Sequence, residues 1–131
     1  MDLLFLDANL LFSAAYRDDA GVQRLWKLSG VDLLSSAYAV DEASRNLSDR
    51  VSRERLRRLV RRLQLVEGVP DRPLPRGIRL PEKDRPILLG ALAGGATHLV
   101  TGDVTHFGPY FGSEVESLRI LTPARYLDER T

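Results

Sequence analysis

The chain reads as an α/β domain: a parallel sheet with helices packed on both of its faces. Three observations predict this. Short apolar runs of strand length alternate with stretches of helical periodicity. The strands are separated by helices, which calls for right-handed crossovers and parallel neighbours. Four acidic residues, Asp7, Glu42, Asp84 and Asp103, each stand where an apolar segment gives way to polar chain, and open α/β sheets place their ligands at the carboxyl edge of the strands.

Taken in order, residues 3–6 (LLFL) form a buried first strand that runs into Asp7, and residues 9–16 follow as a helix. Asp18 and Asp19 make a turn. Residues 20–29 form a second helix carrying Val22, Leu25, Trp26 and Leu28, ended by Gly30. Residues 31–34 (VDLL) are a second strand and residues 37–47 a helix. Residues 52–63 are another helix, with Leu56, Leu59, Val60 and Leu63 on one face. Residues 64–69 make a short third strand. Residues 70–81 hold four of the seven prolines and form a linker, too short for a second domain, so residues 1–131 are expected to be one unit. Residues 84–93 are a helix, 97–100 and 118–121 strands, and 123–127 a closing helix.

Composition narrows the chemistry. With 131 residues, 44% of them apolar, the chain can bury a single core. It has no cysteine, which excludes disulfides, thiolate zinc sites and cysteine nucleophiles and fits a reducing cytoplasm, the expected location. The apolar start is interrupted by Asp2 and Asp7 and lacks a basic leader, so it reads as a strand rather than a signal peptide. The uncharged run at residues 87–96 falls far short of the ~20 residues needed to span a bilayer.

Each acid alone has an ordinary explanation. Asp84, followed by Arg85-Pro86, suits a helix cap; Asp7 suits a cap for the next helix; Asp103 in Thr101-Gly102-Asp103 suits a turn; and Glu42 suits a solvated helix face. Four acids on four segments, all delivered to one edge, are a different matter. Like charges in a partly buried pocket repel one another unless a cation neutralises them. Phosphodiester hydrolysis needs an activated water and charge stabilisation on the attacking and leaving oxygens, which Mg²⁺ or Mn²⁺ held by carboxylates provides. Asp7 and Asp103 are the principal candidate ligands. Glu42 and Asp84 are expected to bind through water or to a second ion, so all four are candidate catalytic residues. Asn9 and Thr101 are placed to orient carboxylates or a phosphate.

The sequence resembles the PIN-domain nucleases in Leu-Asp7-Ala-Asn9, in Glu42 within Val-Asp-Glu-Ala-Ser-Arg-Asn-Leu, in Asp84 opening Asp-Arg-Pro-Ile-Leu-Leu-Gly-Ala-Leu, and in Thr101-Gly-Asp103 followed by His106-Phe107. The resemblance spans nearly the whole chain in order. It implies a three-layer α/β/α fold with a central parallel sheet, an acidic Mg²⁺ or Mn²⁺ site, and hydrolysis of phosphodiester bonds, most often in RNA. Stand-alone members of this size resemble the toxin half of toxin–antitoxin pairs, which implies a small antitoxin protein as partner and a homodimer. The pattern departs from the family at one point. Many relatives carry another acid three or four positions beyond the residue matching Asp103, where this chain has His106 and Phe107. That puts a second metal in question and makes His106 a candidate to ligate or to touch phosphate.

Charge is uneven. Formal charge is +1, yet residues 45–62 hold eight arginines against two acids, a local excess of +6. A basic face beside an acidic pocket suits a polyanion such as RNA, with Arg57, Arg58 and Arg61 as candidate phosphate contacts, although a charged helix is usually a solvated one. Two other classes are open: an aspartyl-phosphate phosphatase, disfavoured because Asn9 stands where a second acid is wanted, and a weakly catalytic or non-catalytic RNA-binding, complex-forming module.

Overall fold

The computed structural model describes residues 1–130. Six strands, β1 (Asp2–Leu6), β2 (Val31–Ser36), β3 (Gln64–Val66), β4 (His98–Val100), β5 (Glu114–Val115) and β6 (Leu118–Leu121), form one sheet in the order β3-β2-β1-β4-β6-β5. All neighbouring strands are parallel except the β5/β6 pair. The helices are α1 (Ala8–Tyr16), α2 (Ala37–Arg45), α3 (Arg50–Val60), α4 (Arg85–Ala93) and α5 (Pro123–Arg130). No helix among the described residues is long and apolar enough to cross a membrane.

Leu4, Phe5 and Leu6 of β1 are all fully buried. Successive strand residues point to opposite faces, so both faces of the central strand are covered, as a parallel sheet requires. On one face, α1 packs on α2 and α3. α4 lies against β2 and β4, and its approach is close: a Cβ on Gly90 would sit 3.4 Å from the Phe5 ring, and one on Gly94 would sit 2.6 Å from Leu34 Cδ2. A glycine at position 94 therefore lets the end of α4 settle onto β2.

From β1 the chain steps outward through β2 to β3, then returns to the other side of β1 with β4. The strand order thus reverses between β1 and β4, which opens a crevice beyond their carboxyl ends.

The structure departs from the sequence reading in a few elements. Residues 20–29 hold a 3₁₀ helix, Gly21–Lys27, rather than an α-helix. The helix expected from Asp84 begins with a 3₁₀ turn, Glu82–Asp84, before α4. A short antiparallel strand, β5, pairs with β6 through a two-residue turn at Glu116 and Ser117, an addition to the expected parallel sheet.

Candidate functional site

Four segments meet at the carboxyl edge of the sheet and bring Asp7, Glu42, Asp84 and Asp103 to the wall of one cleft of about 510 Å³. Asp7 ends β1, Glu42 comes from α2, Asp84 from the turn before α4, and Asp103 from the segment after β4. Asn9 and His106 line the same cleft.

Asp7 is pinned by both carboxylate oxygens. Oδ1 accepts from the Ala8 backbone N–H at 2.6 Å, capping α1 as a helix-cap aspartate does. Oδ2 accepts from the Thr101 hydroxyl at 2.8 Å and from Asn9 Nδ2 at 3.2 Å. Burial pushes the carboxyl of Asp7 up to about 6 against the lowering effect of the Thr101 and Ala8 hydrogen bonds, and the nearby charges of Asp84 and Glu42 push the same way as burial. Capping and a place in the cleft therefore coexist at this residue.

Thr101 and Asn9 tie the ends of β1 and β4 together. Thr101 Oγ1 accepts from the Asp103 N–H at 3.0 Å and from Asn9 Nδ2 at 3.3 Å, and Asn9 Oδ1 accepts from the Gly102 N–H at 3.0 Å.

Asp103 shapes its own turn: Oδ1 accepts from the His106 backbone N–H at 3.0 Å, and Oδ2 lies 2.9 Å from His106 Nδ1. Burial raises its carboxyl, but the His106 hydrogen bonds and the charges of His106 and Lys83 outweigh burial and hold it below the usual value. Asp84 behaves differently. Its side chain makes no capping bond to α4, so the helix-cap explanation has no geometric support. It is 7% exposed, and its Oδ2 lies 3.1 Å from His106 Nδ1. A ring nitrogen carries at most one hydrogen. A hydrogen on Nδ1 would serve the closer Asp103 oxygen, and Asp84 Oδ2 is buried with no hydrogen-bond partner. Burial raises its carboxyl, Lys83 and His106 lower it, Asp103 raises it, and the net direction is up.

An all-oxygen carboxylate set with one imidazole, containing an unpartnered buried oxygen and two carboxyls shifted upward, fits a hard or borderline divalent cation. The oxygen and nitrogen atoms of Asp84, Asp103 and His106 lie within 4.8 Å of one another. Asp7 and Glu42 line the cleft outside that tight group.

Further residues surround the four acids. Tyr38 stands one helical turn before Glu42, and its hydroxyl donates to the Lys83 carbonyl at 2.7 Å, docking the Asp84 turn onto α2. Burial and then the charges of Glu42 and Asp84 raise the Tyr38 hydroxyl. The i, i+4 spacing of Tyr38 and Glu42 was the available signal. Lys83, beside Asp84, and Asn46, one turn beyond Glu42, also line the cleft.

The arginine segment lies apart. Arg57, Arg58 and Arg61 are exposed, and none lines the cleft. Arg57 pairs with Glu54 at 2.6 Å, Arg53 Nε donates to the Leu47 carbonyl and Arg55 Nη1 to the Ala15 carbonyl, each at 2.7 Å, so part of the local charge is spent holding α3 in place.

No protein-family model and no curated protein matches the chain. Solved structures do. The chain is similar to a chain of VapBC2 from Rickettsia felis, solved bound to a DNA fragment from their promoter, with a TM-score of 0.66 and 15% identity over 92% of this chain and 98% of that one. It is similar to VapBC-1 from nontypeable Haemophilus influenzae with a TM-score of 0.59 and 16% identity over 93% of this chain and 98% of that one. At such identities the likeness is one of fold, and the chain has the PIN-like α/β fold of these VapBC proteins.

Proposed function

We propose that the protein is a metal-dependent endoribonuclease that hydrolyses phosphodiester bonds in single-stranded or structured RNA and acts as the toxin of a toxin–antitoxin pair. The observation that carries this reading is the convergence of Asp7, Glu42, Asp84 and Asp103 on one cleft, with a buried carboxylate oxygen of Asp84 left unpartnered there. A structural role for Asp84 would leave no reason to bury an acid without a donor. The VapBC name of the structural neighbours supports a small antitoxin protein as partner, and the homodimer and cytoplasmic location belong to the same proposal.

Asp7, Asp84 and Asp103 would hold Mg²⁺ or Mn²⁺, with Glu42 reaching it through water. When bound, the ion supplies a water of lowered pKa and stabilises charge on the phosphate oxygens. The chain's own residues do the rest. Thr101, Asn9 and the Ala8 N–H hold Asp7 in one orientation, so little reorganisation is left for the reaction. Glu42 has a carboxylate with no hydrogen-bond partner among the described residues, which makes it the acceptor for the proton that the attacking water gives up. Lys83, exposed at the cleft wall, offers a cation to a substrate phosphate.

Phe12 lines both the cleft and a second groove, which Tyr16 and Arg17 also line. Phe12 and Tyr16 stack with ring centroids 5.4 Å apart, and Tyr16 is 60% exposed, an arrangement that suits a base of a single strand leaving the site. Purified protein incubated with single-stranded RNA tests the reading. Cleavage should require Mg²⁺ or Mn²⁺, stop with chelator, and be lost in Asp7→Asn. Metal-independent RNA binding without cleavage would favour the non-catalytic module instead.

A further inference from the structure

We infer that His106 is a direct ligand of the bound cation, through Nδ1, alongside Asp84 and Asp103, and that this nitrogen makes the site select Mn²⁺ over Mg²⁺. The inference rests on the metal-site reading above and adds to it the ligand set and the choice of ion.

The spacing carries the argument. An octahedral ion with ligands at about 2.1 Å has adjacent ligand atoms about 3.0 Å apart. His106 Nδ1 stands 2.9 Å from Asp103 Oδ2 and 3.1 Å from Asp84 Oδ2, so both pairs already have the length of a coordination edge. A proton on Nδ1 satisfies one of those oxygens and leaves Asp84 Oδ2 buried without a partner. A cation shared by the three atoms satisfies all of them, with the imidazole proton on Nε2.

The turn that carries the ring is anchored. The His106 backbone N–H donates to Asp103 Oδ1 at 3.0 Å, the Phe107 N–H donates to the Asp103 carbonyl at 3.1 Å, and Phe107 is fully buried, so the backbone of the turn cannot move away without exposing a core aromatic. Imidazole nitrogen is a softer donor than carboxylate oxygen, and Mn²⁺, a first-row transition ion, accepts it more readily than Mg²⁺, which is held almost wholly through oxygen. A site with one nitrogen therefore gains affinity for Mn²⁺ and little for Mg²⁺.

Pulsed EPR of the Mn²⁺-loaded protein reads the ligand directly through ¹⁴N coupling. The second histidine, His98, lies at the amino end of β4 against Tyr126, with ring centroids 5.0 Å apart, and cannot supply the signal. Wild type should show imidazole nitrogen coupling that disappears in His106→Asp. That variant keeps an ion-binding set, and calorimetry should find its preference for Mn²⁺ over Mg²⁺ reduced about tenfold. Bound Mn²⁺ with no nitrogen coupling, or an unchanged Mn²⁺/Mg²⁺ ratio in His106→Asp, would overturn the inference and leave the metal site standing. Failure of wild type to bind Mn²⁺, or Mn²⁺ affinity unaffected by Asp103→Asn, would instead bring down the metal-site reading and this inference with it.

Discussion

The Thr101 hydroxyl donates to Asp7 Oδ2 at 2.8 Å and joins two strand ends that lie 94 residues apart in sequence. Because Thr101 Oγ1 itself accepts from the Asp103 N–H at 3.0 Å, one side chain fixes the positions of two acids. Convergence of Asp7 and Asp103 is thus built into the sheet at the point where its strand order reverses.

Thr101→Val keeps the shape of this side chain and removes its oxygen. It leaves a buried carboxylate oxygen and a backbone N–H without that partner, which should cost about 1–3 kcal/mol in urea unfolding. The Asp7 carboxyl should rise further, since the Thr101 bond lowers it. Thr101→Ser should restore most of both.

The pH dependence of stability follows from Asp7. Burial pushes its folded carboxyl up to about 6 from an ordinary value of 3.8, so between those values the native state holds a proton that the unfolded chain has released. Stability from this group is therefore full below about pH 4 and lost as pH rises through about 6, by on the order of 3 kcal/mol. In chelator, the stability of Asp7→Asn relative to wild type should climb across this window, because pH-independent packing differences do not contribute to the slope. A flat difference between pH 4 and 7 would contradict the assigned burial.

Asp84→Asn separates a metal site from a structural acid. Without metal the variant should be as stable as wild type or more so, because it removes a buried charge whose Oδ2 has no donor. Saturating Mn²⁺ at a hundredfold excess over Kd should stabilise wild type by about 2.7 kcal/mol and the variant by less. Thermal melts with chelator and with Mn²⁺ measure both, and an equal shift in the two proteins would remove Asp84 from the site.

Much of this was legible in the sequence because strand ends are marked by a change from apolar to polar residues, and Asp7 and Asp103 stand at two such changes. Parallel pairing then follows from the helices between strands, whereas the strand order β3-β2-β1-β4-β6-β5 came only with the structure. What escaped detection had weak local signals. Val22 and Leu25 are three residues apart, a spacing that α- and 3₁₀ helices share, and the structure takes the 3₁₀ form at Gly21–Lys27 with Leu25 and Trp26 buried. The β5/β6 hairpin turns through Glu116 and Ser117 at φ of 51° and 72°, a conformation that asparagine and glycine normally announce. Arg72 reaches across from the proline-rich stretch to hold Glu116 at 2.7 Å, a long-range contact that no local pattern encodes. His106 was visible as a residue, but its place between two carboxylates depends on the turn that Phe107 anchors.

The exposed arginines of α3 make a separate, salt-dependent prediction. Arg58 and Arg61 have no partner among the described residues, whereas Arg57 is paired with Glu54. Each arginine that contacts a phosphate should contribute a log–log salt slope of about −0.7 in single-strand binding. Replacing Arg57, Arg58 and Arg61 together should flatten that slope, with most of the effect reproduced by the Arg58/Arg61 pair. An unchanged slope would make α3 a solvated face.

The central claim is that the four acids form one site for a divalent cation. Anomalous diffraction from crystals soaked in Mn²⁺ tests it most directly. A strong peak is expected inside the cleft, in contact with Asp7, Asp84 and Asp103 and next to Glu42, that disappears in Asp103→Asn. A Mn²⁺ peak elsewhere on the surface, with none between these carboxylates, would contradict it.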